Sequence, residues 1–316
     1  MRTQRRNPRI ASYRKPRHLQ RTDHARLLLF LRMPKRTSKW LEPALWGTLA
    51  LYVIGRLFQL IANHLPTLLV VCLHVVPPAV FALLHGSRVY GVRGMARFIA
   101  LCLGVATVAE SLSLRTGFPY GHYYFTGVMG PKLFGLPFLL VMAYLGIGYA
   151  SWTIATRILN TTNSPIHGAH LITLPLLAAF VMTAWDLSMD ADWSTLDHAW
   201  VWRDGGVLFG VPLSNYFGWM LTAFTFYLLF ALTARTQAPT TPVSPAFLRM
   251  PVLLYALCAV GNLLIFFLPM APPIVADPAG HLWHTTTVLI FMATVSVLVM
   301  LPLAWLAWVK PATDLA

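Results

Sequence analysis

From residue 43 to residue 308 the chain repeats one pattern, a run of about twenty apolar residues followed by a short polar interruption. Eight such runs can be drawn, at 43–63, 66–85, 95–113, 134–157, 169–188, 212–234, 250–270 and 284–308. A helix of that length matches the hydrocarbon thickness of a bilayer, roughly 30 Å. In hydrocarbon the backbone must satisfy its own N–H and C=O groups, which an α-helix does within one segment. The pattern therefore predicts an all-α fold, a polytopic transmembrane helix bundle of about eight spans, with seven to nine the range the run ends allow. A composition 57% hydrophobic and 11% charged, with a mean hydropathy of +0.62, excludes an ordinary water-soluble globule.

Charge is distributed unevenly. Of 24 Lys and Arg residues, 13 fall in residues 1–39, opposed there only by Asp23. Residues 1–40 read as a basic, disordered tail and 41–310 as a single transmembrane domain. The tail suits contact with anionic membrane lipids or the setting of topology. Nucleic-acid binding is not expected, because no aromatic or helical reading pattern accompanies the charge. MPKRTSKW, beginning at Met33, is a plausible alternative start. RLLLFLRM is too short for a secretory signal and is interrupted by Arg32. Cys72, Cys102 and Cys258 are scattered within apolar runs and imply neither disulfide nor metal.

With the tail inside, Arg88, Arg93, Arg97, Arg157, Arg235, Arg249 and Lys310 also fall on the cytoplasmic side. The expected location is the bacterial cytoplasmic membrane with both termini cytoplasmic. The long connections 114–133 and 189–211 should then emerge together on the opposite face, with Glu110 and Asp186 at their roots.

Glu110 lies in LCLGVATVAESLSL, a run otherwise without charge. A carboxylate at membrane depth costs a few kcal/mol on insertion scales, so it lines a bundle interior or has a partner. Proton donation and a structural pairing, with Arg115 as a nearby cation, are both open. Asp186 and Asp190, in AWDLSMDADW, share one face if the helix continues. Two carboxylates held close together resist joint ionisation and can present an acid beside a base. They can also hold a divalent metal or mark where the helix meets water, and Asp192 and Asp197 read as solvated loop residues. In PYGHYYF, Pro119 and Gly121 set a turn that aims Tyr120, His122, Tyr123 and Tyr124 differently; Tyr and Trp are also ordinary membrane-interface residues. Asn215 can cap the sixth run or hold a water. Histidine boxes for a di-iron centre, phosphate loops, dinucleotide fingerprints and nucleophile elbows are absent from the sequence.

Glu110, GFPYGHYYFTGVMGPKLFGLPF, AWDLSMDADW and WVWRDGGVLFGVPLSNYFGW, in that order, resemble the membrane carotenoid biosynthesis proteins that include carotenoid 1',2'-hydratases and bisanhydrobacterioruberin hydratase. The resemblance covers roughly 100–235. One departure is Ala191, where the family commonly has proline after the second carboxylate.

The resemblance implies a hydro-lyase that adds water to the terminal double bond of an acyclic or monocyclic carotenoid, lycopene-like or γ-carotene-like, without cofactor or metal. Glu110, Asp186 and Asp190 are then the acid and base candidates. Tyr120, Tyr124, Trp185 and Trp202 are candidate stabilisers of a carbocation, and His122 and Asn215 would orient groups or water. Other carotenoid-pathway enzymes are expected partners. Two other classes stay open: a membrane prenyltransferase holding magnesium diphosphate on Asp186 and Asp190, and a lipid transporter or scaffold that leaves its ligand unchanged.

Overall fold

The structure is a computed structural model and describes residues 39–162, 165–234, 243–267 and 272–310. The expected basic tail, apart from its last residues, and the alternative start at Met33 lie outside the described residues.

Helix α1, Leu41–Phe58, runs on through a 3-10 segment, Gln59–His64. Helix α2, Thr67–Thr116, is followed by short strands β1, Tyr123–Phe125, β2, Lys132–Leu133, and β3, Leu136–Pro137. Next come α3, Phe138–Ile158, and α4, His170–Ala191, which continues as a π-helical turn, Asp192–Leu196. Strand β4, Trp200–Trp202, precedes α5, Leu213–Ala234, and α6, Pro245–Leu263. A hairpin of β5, Ile274–Ala276, and β6, Leu282–His284, leads into α7, Thr285–Val295. A second π turn, Ser296–Met300, joins α7 to α8, Leu301–Val309.

Among the described residues seven helices are long and apolar enough to cross a membrane. The longest, α2, supplies two of the eight expected runs, because its backbone leaves helical values at Gly91, φ 70° and ψ 165°. A straight helix would separate Val75 from Glu110 by roughly 50 Å, yet both line one cavity. The limbs 67–90 and 92–116 therefore fold back on each other. Only glycine occupies that backbone region without strain. The tandem prolines Pro77 and Pro78, residues that commonly kink a helix, are not where the path changes: both stay within helical backbone, and Pro78 packs against Gly146 of α3.

Helix α3 is the most enclosed span and touches α2, α4, α6 and α8. Its sequence GYASW lets neighbours approach closely, since in lipid the gain comes from packing of small residues and not from water exclusion. The connections 117–137 and 192–212 meet as an antiparallel ribbon, with Tyr123 opposite Trp202 and Phe125 opposite Trp200. The β5–β6 hairpin reaches the same end, where Asp277 lies against Gly205 and Gly210. Three connections thus form one cover over the bundle, and the two anticipated to share a face are hydrogen-bonded to each other.

Candidate active site

A cavity lies under the β1–β4 ribbon, between both limbs of α2 and helices α1, α3, α4, α5 and α6. Three carboxylates line it, Glu110, Asp186 and Asp190, and they are 5%, 2% and 1% exposed.

Glu110 stands in the second limb of α2, where both carboxyl oxygens meet phenols. Tyr144 of α3 donates to Oε1 at 2.7 Å and Tyr123 of β1 donates to Oε2. The Tyr144 hydroxyl lies 3.0 Å from that of Tyr120, which lies 2.9 Å from Thr222 Oγ1. Each hydroxyl carries one proton. Tyr120 gives its proton to Thr222, so with Glu110 as an acid the bonds run from Glu110 through Tyr144 and Tyr120 to Thr222 and all three contacts are satisfied. With Glu110 as a carboxylate, Tyr144 turns its proton to Oε1. The line therefore suits a glutamate that holds a proton to give. Arg115, the cation near it in sequence, is exposed and is not its partner.

Asp186 and Asp190 share a face because α4 stays helical past both and continues into the π turn. Asn215, at the start of α5, donates its amide N–H groups to Asp186 Oδ2, at 2.9 Å, and to Asp190 Oδ2. It neither caps its helix nor waits for water: it joins the two carboxylates. Asp190 Oδ1 also accepts from the indoles of Trp200, at 2.9 Å, and Trp202, at 3.4 Å. Both indoles reach inward from β4 because residues two apart in a strand face the same way. Asp192 departs from the solvated reading, since the π turn carries it back against the cavity wall, where it is buried.

Strand alternation also sorts the tyrosines. Tyr123 points inward and Tyr124 outward, where the Arg203 guanidinium sits 5.5 Å from its ring centroid. His122 is exposed and paired with Asp204 at 3.0 Å, outside the cavity. Of the residues singled out from sequence, Glu110, Asp186, Asp190, Tyr120, Trp185, Trp202 and Asn215 line one cavity, and His122 and Tyr124 do not. Tyr120 is anchored by its backbone, which donates to Ser113 Oγ at 3.2 Å and accepts from Ser214 Oγ at 2.7 Å.

Tyr144 and Trp200 were not distinguished from sequence, and neither was Trp219, which stacks on Tyr144 with centroids 4.7 Å apart. The WVW alternation of β4 was the available signal for Trp200. Tyr144 and Trp219 gave none, being single aromatics inside apolar runs. The site thus combines an acid-competent glutamate, a joined aspartate pair and several aromatic faces in a mostly apolar enclosure.

Compared with known proteins, residues 66–282 match the family described as carotenoid biosynthesis protein. No curated protein and no solved structure matches the chain. The match spans more than half of the sequence and includes every element that lines the carboxylate cluster except α1, so this membrane protein belongs to the carotenoid biosynthesis protein family.

Proposed function

We propose that the chain is a carotenoid hydratase, a hydro-lyase that adds water across the terminal double bond of an acyclic ψ-end. The observation that carries the reading is the enclosure of Glu110, Asp186 and Asp190 with aromatic rings in one apolar cavity. Lycopene-like and γ-carotene-like hydrocarbons dissolve in the bilayer and would reach this cavity from it.

The chemistry balances without a redox step. A carboxylic acid gives its proton to the less substituted alkene carbon, leaving a tertiary carbocation. Water oxygen bonds to that carbon, and a carboxylate takes the proton that water loses. Glu110, whose line of hydroxyl contacts is complete when it holds a proton, is assigned as the acid. Asp190, surrounded by N–H donors from Trp200, Trp202 and Asn215, is assigned as the base, with Asp186 beside it. Rings such as Trp202, Trp185 and Trp219 line the space where the cation forms, each offering ~0.5–2 kcal/mol. The basic residues near the helix ends support cytoplasmic termini, with the ribbon and its cavity toward the opposite face.

The test is expression in a host that accumulates lycopene or γ-carotene, with mass spectrometry of the pigments. A product heavier by one water is expected, and its loss in Glu110→Gln and in Asp190→Asn at unchanged protein level. Unchanged pigment, or magnesium-dependent release of diphosphate from a prenyl donor, would overturn the reading.

A further inference from the structure

The cavity has a second group of polar side chains that the proposed hydration does not use. Arg56 of α1 and His74 of α2 are 7% and 8% exposed, and both line the cavity together with Asp192. Arg56 Nη2 donates to Asn262 Oδ1 at 2.9 Å, and Asn262 is itself held by Ser188 and Ser296. Among the described residues no carboxylate oxygen lies within 4.0 Å of the guanidinium, since the ion pairs found there are His122–Asp204 and His281–Asp277. Among the described residues Arg56 Nε is buried without a partner. His74 donates from Nδ1 to the Val70 carbonyl at 2.8 Å, and its Nε2 is buried without a partner.

A buried guanidinium N–H and a buried imidazole nitrogen that share a cavity and lack partners are costly unless something polar lies beside them. The chemistry of the gap selects the occupant. Arg56 can only donate, and His74, with its proton on Nδ1, can only accept at Nε2. An O–H group meets both, accepting from Arg56 and donating to His74. A phosphate or carboxylate would satisfy Arg56 but has no proton for His74 Nε2.

We infer that Arg56 and His74 form a second subsite in this cavity that seats a neutral hydroxyl carried on an isoprenoid ligand. The isoprenoid part of this inference rests on the carotenoid reading of the cavity; the hydroxyl part rests on the residues alone. Tyr52 and Trp193 lie edge-on to His74, with ring centroids 6.4 and 6.0 Å away, and wall the subsite, with the Tyr52 hydroxyl near Arg56. The subsite would let the protein accept a ligand already oxygenated at one position and hold it in a fixed register.

The experiment measures binding without turnover. The purified full chain in detergent is loaded with radiolabelled farnesol, which is then competed with unlabelled farnesol or with farnesene, the corresponding hydrocarbon. The alcohol should bind at least about tenfold more tightly, as expected for a hydrogen bond to a charged group. Arg56→Met and His74→Phe, which keeps a ring and removes the acceptor, should each bring the ratio close to one, and Glu110→Gln should leave it intact. His74→Phe decides the matter if Arg56→Met does not fold. Equal binding of alcohol and hydrocarbon by the unsubstituted protein would leave the subsite to water and overturn the inference, as would a preference that survives in His74→Phe. Because no hydration is required, a protein that fails to hydrate lycopene but prefers farnesol overturns the proposed reaction and supports the subsite.

Discussion

Asp190 and Trp200 meet through an indole N–H bond of 2.9 Å that ties the end of α4 to the ribbon covering the cavity. The indole can only donate, so it holds the carboxylate in place without competing for the proton that the proposed base would take up. Trp200→Phe keeps an aromatic face and removes the donor. Hydration per unit of protein should fall about tenfold, from the loss of a ~1.5 kcal/mol charge-assisted bond. Trp202→Phe, whose bond is longer at 3.4 Å, should fall less. Pigment analysis normalised to protein level checks both.

Asn215 supplies both N–H groups of one amide to two carboxylates. Asn215→Leu, close in volume, leaves both aspartates short of a donor at once. Activity should drop by at least about 100-fold, since each lost bond to a charged group is worth ~1.5–3 kcal/mol. A variant of undiminished activity would remove the joined pair from the mechanism.

The hydroxyl line from Thr222 to Glu110 makes a graded prediction. Tyr144→Phe breaks the line at the glutamate, whereas Thr222→Val breaks it two hydroxyls away. Hydration rate should be lowered strongly by the first, on the order of tenfold or more, and by only a few-fold by the second. Equal effects would show that the line acts only through packing.

Gly91 turns the two limbs of α2 back on each other with φ 70° and ψ 165°. Gly91→Ala should destabilise the fold by about 1–3 kcal/mol, because a Cβ disfavours that backbone region. Fluorescence-monitored thermal unfolding in detergent reads the change.

Asp277, in the β5–β6 hairpin, makes the pH-dependent prediction. Burial alone would raise its pKa, but hydrogen bonds from Trp283 Nε1 at 3.0 Å, the His281 backbone at 2.9 Å and the His281 ring at 3.1 Å outweigh it and hold the carboxyl below its ordinary range. A depressed folded-state pKa contributes stability that is present above the unfolded value, about 3.9, and is lost as pH falls toward the folded value. Asp277→Asn should therefore lower the melting temperature most at neutral pH, and the gap to the unsubstituted protein should close below pH ~4. A gap that stays constant across that window would contradict the pairing.

The runs of apolar residues were legible because a bilayer leaves so few backbone solutions. Glu110, Asp186 and Asp190 were legible as costly exceptions inside those runs, and Asn215 by its position at a helix start. Tyr123 and Tyr124 could not be sorted without knowing which face of β1 looks inward, since the register follows from its pairing with β4. Asp192 was misread because the sequence marks no π turn. The reversal at Gly91 was anticipated as an ordinary loop between spans, whereas the chain accomplishes it with a single residue inside one long helix.

By itself the sequence determined an all-α membrane bundle, since twenty-residue apolar runs have no other stable way to satisfy their backbone in lipid. It also determined that a few carboxylates had to face inward. Only the tertiary structure decided their partners: two phenols on Glu110, one amide across Asp186 and Asp190, and two indoles on Asp190. The physical reason is reach. Hydropathy is a local property written along one helix, but a side-chain hydrogen bond needs direction and distance set jointly by elements that may lie tens or hundreds of residues apart, as Arg56 and Asn262 do.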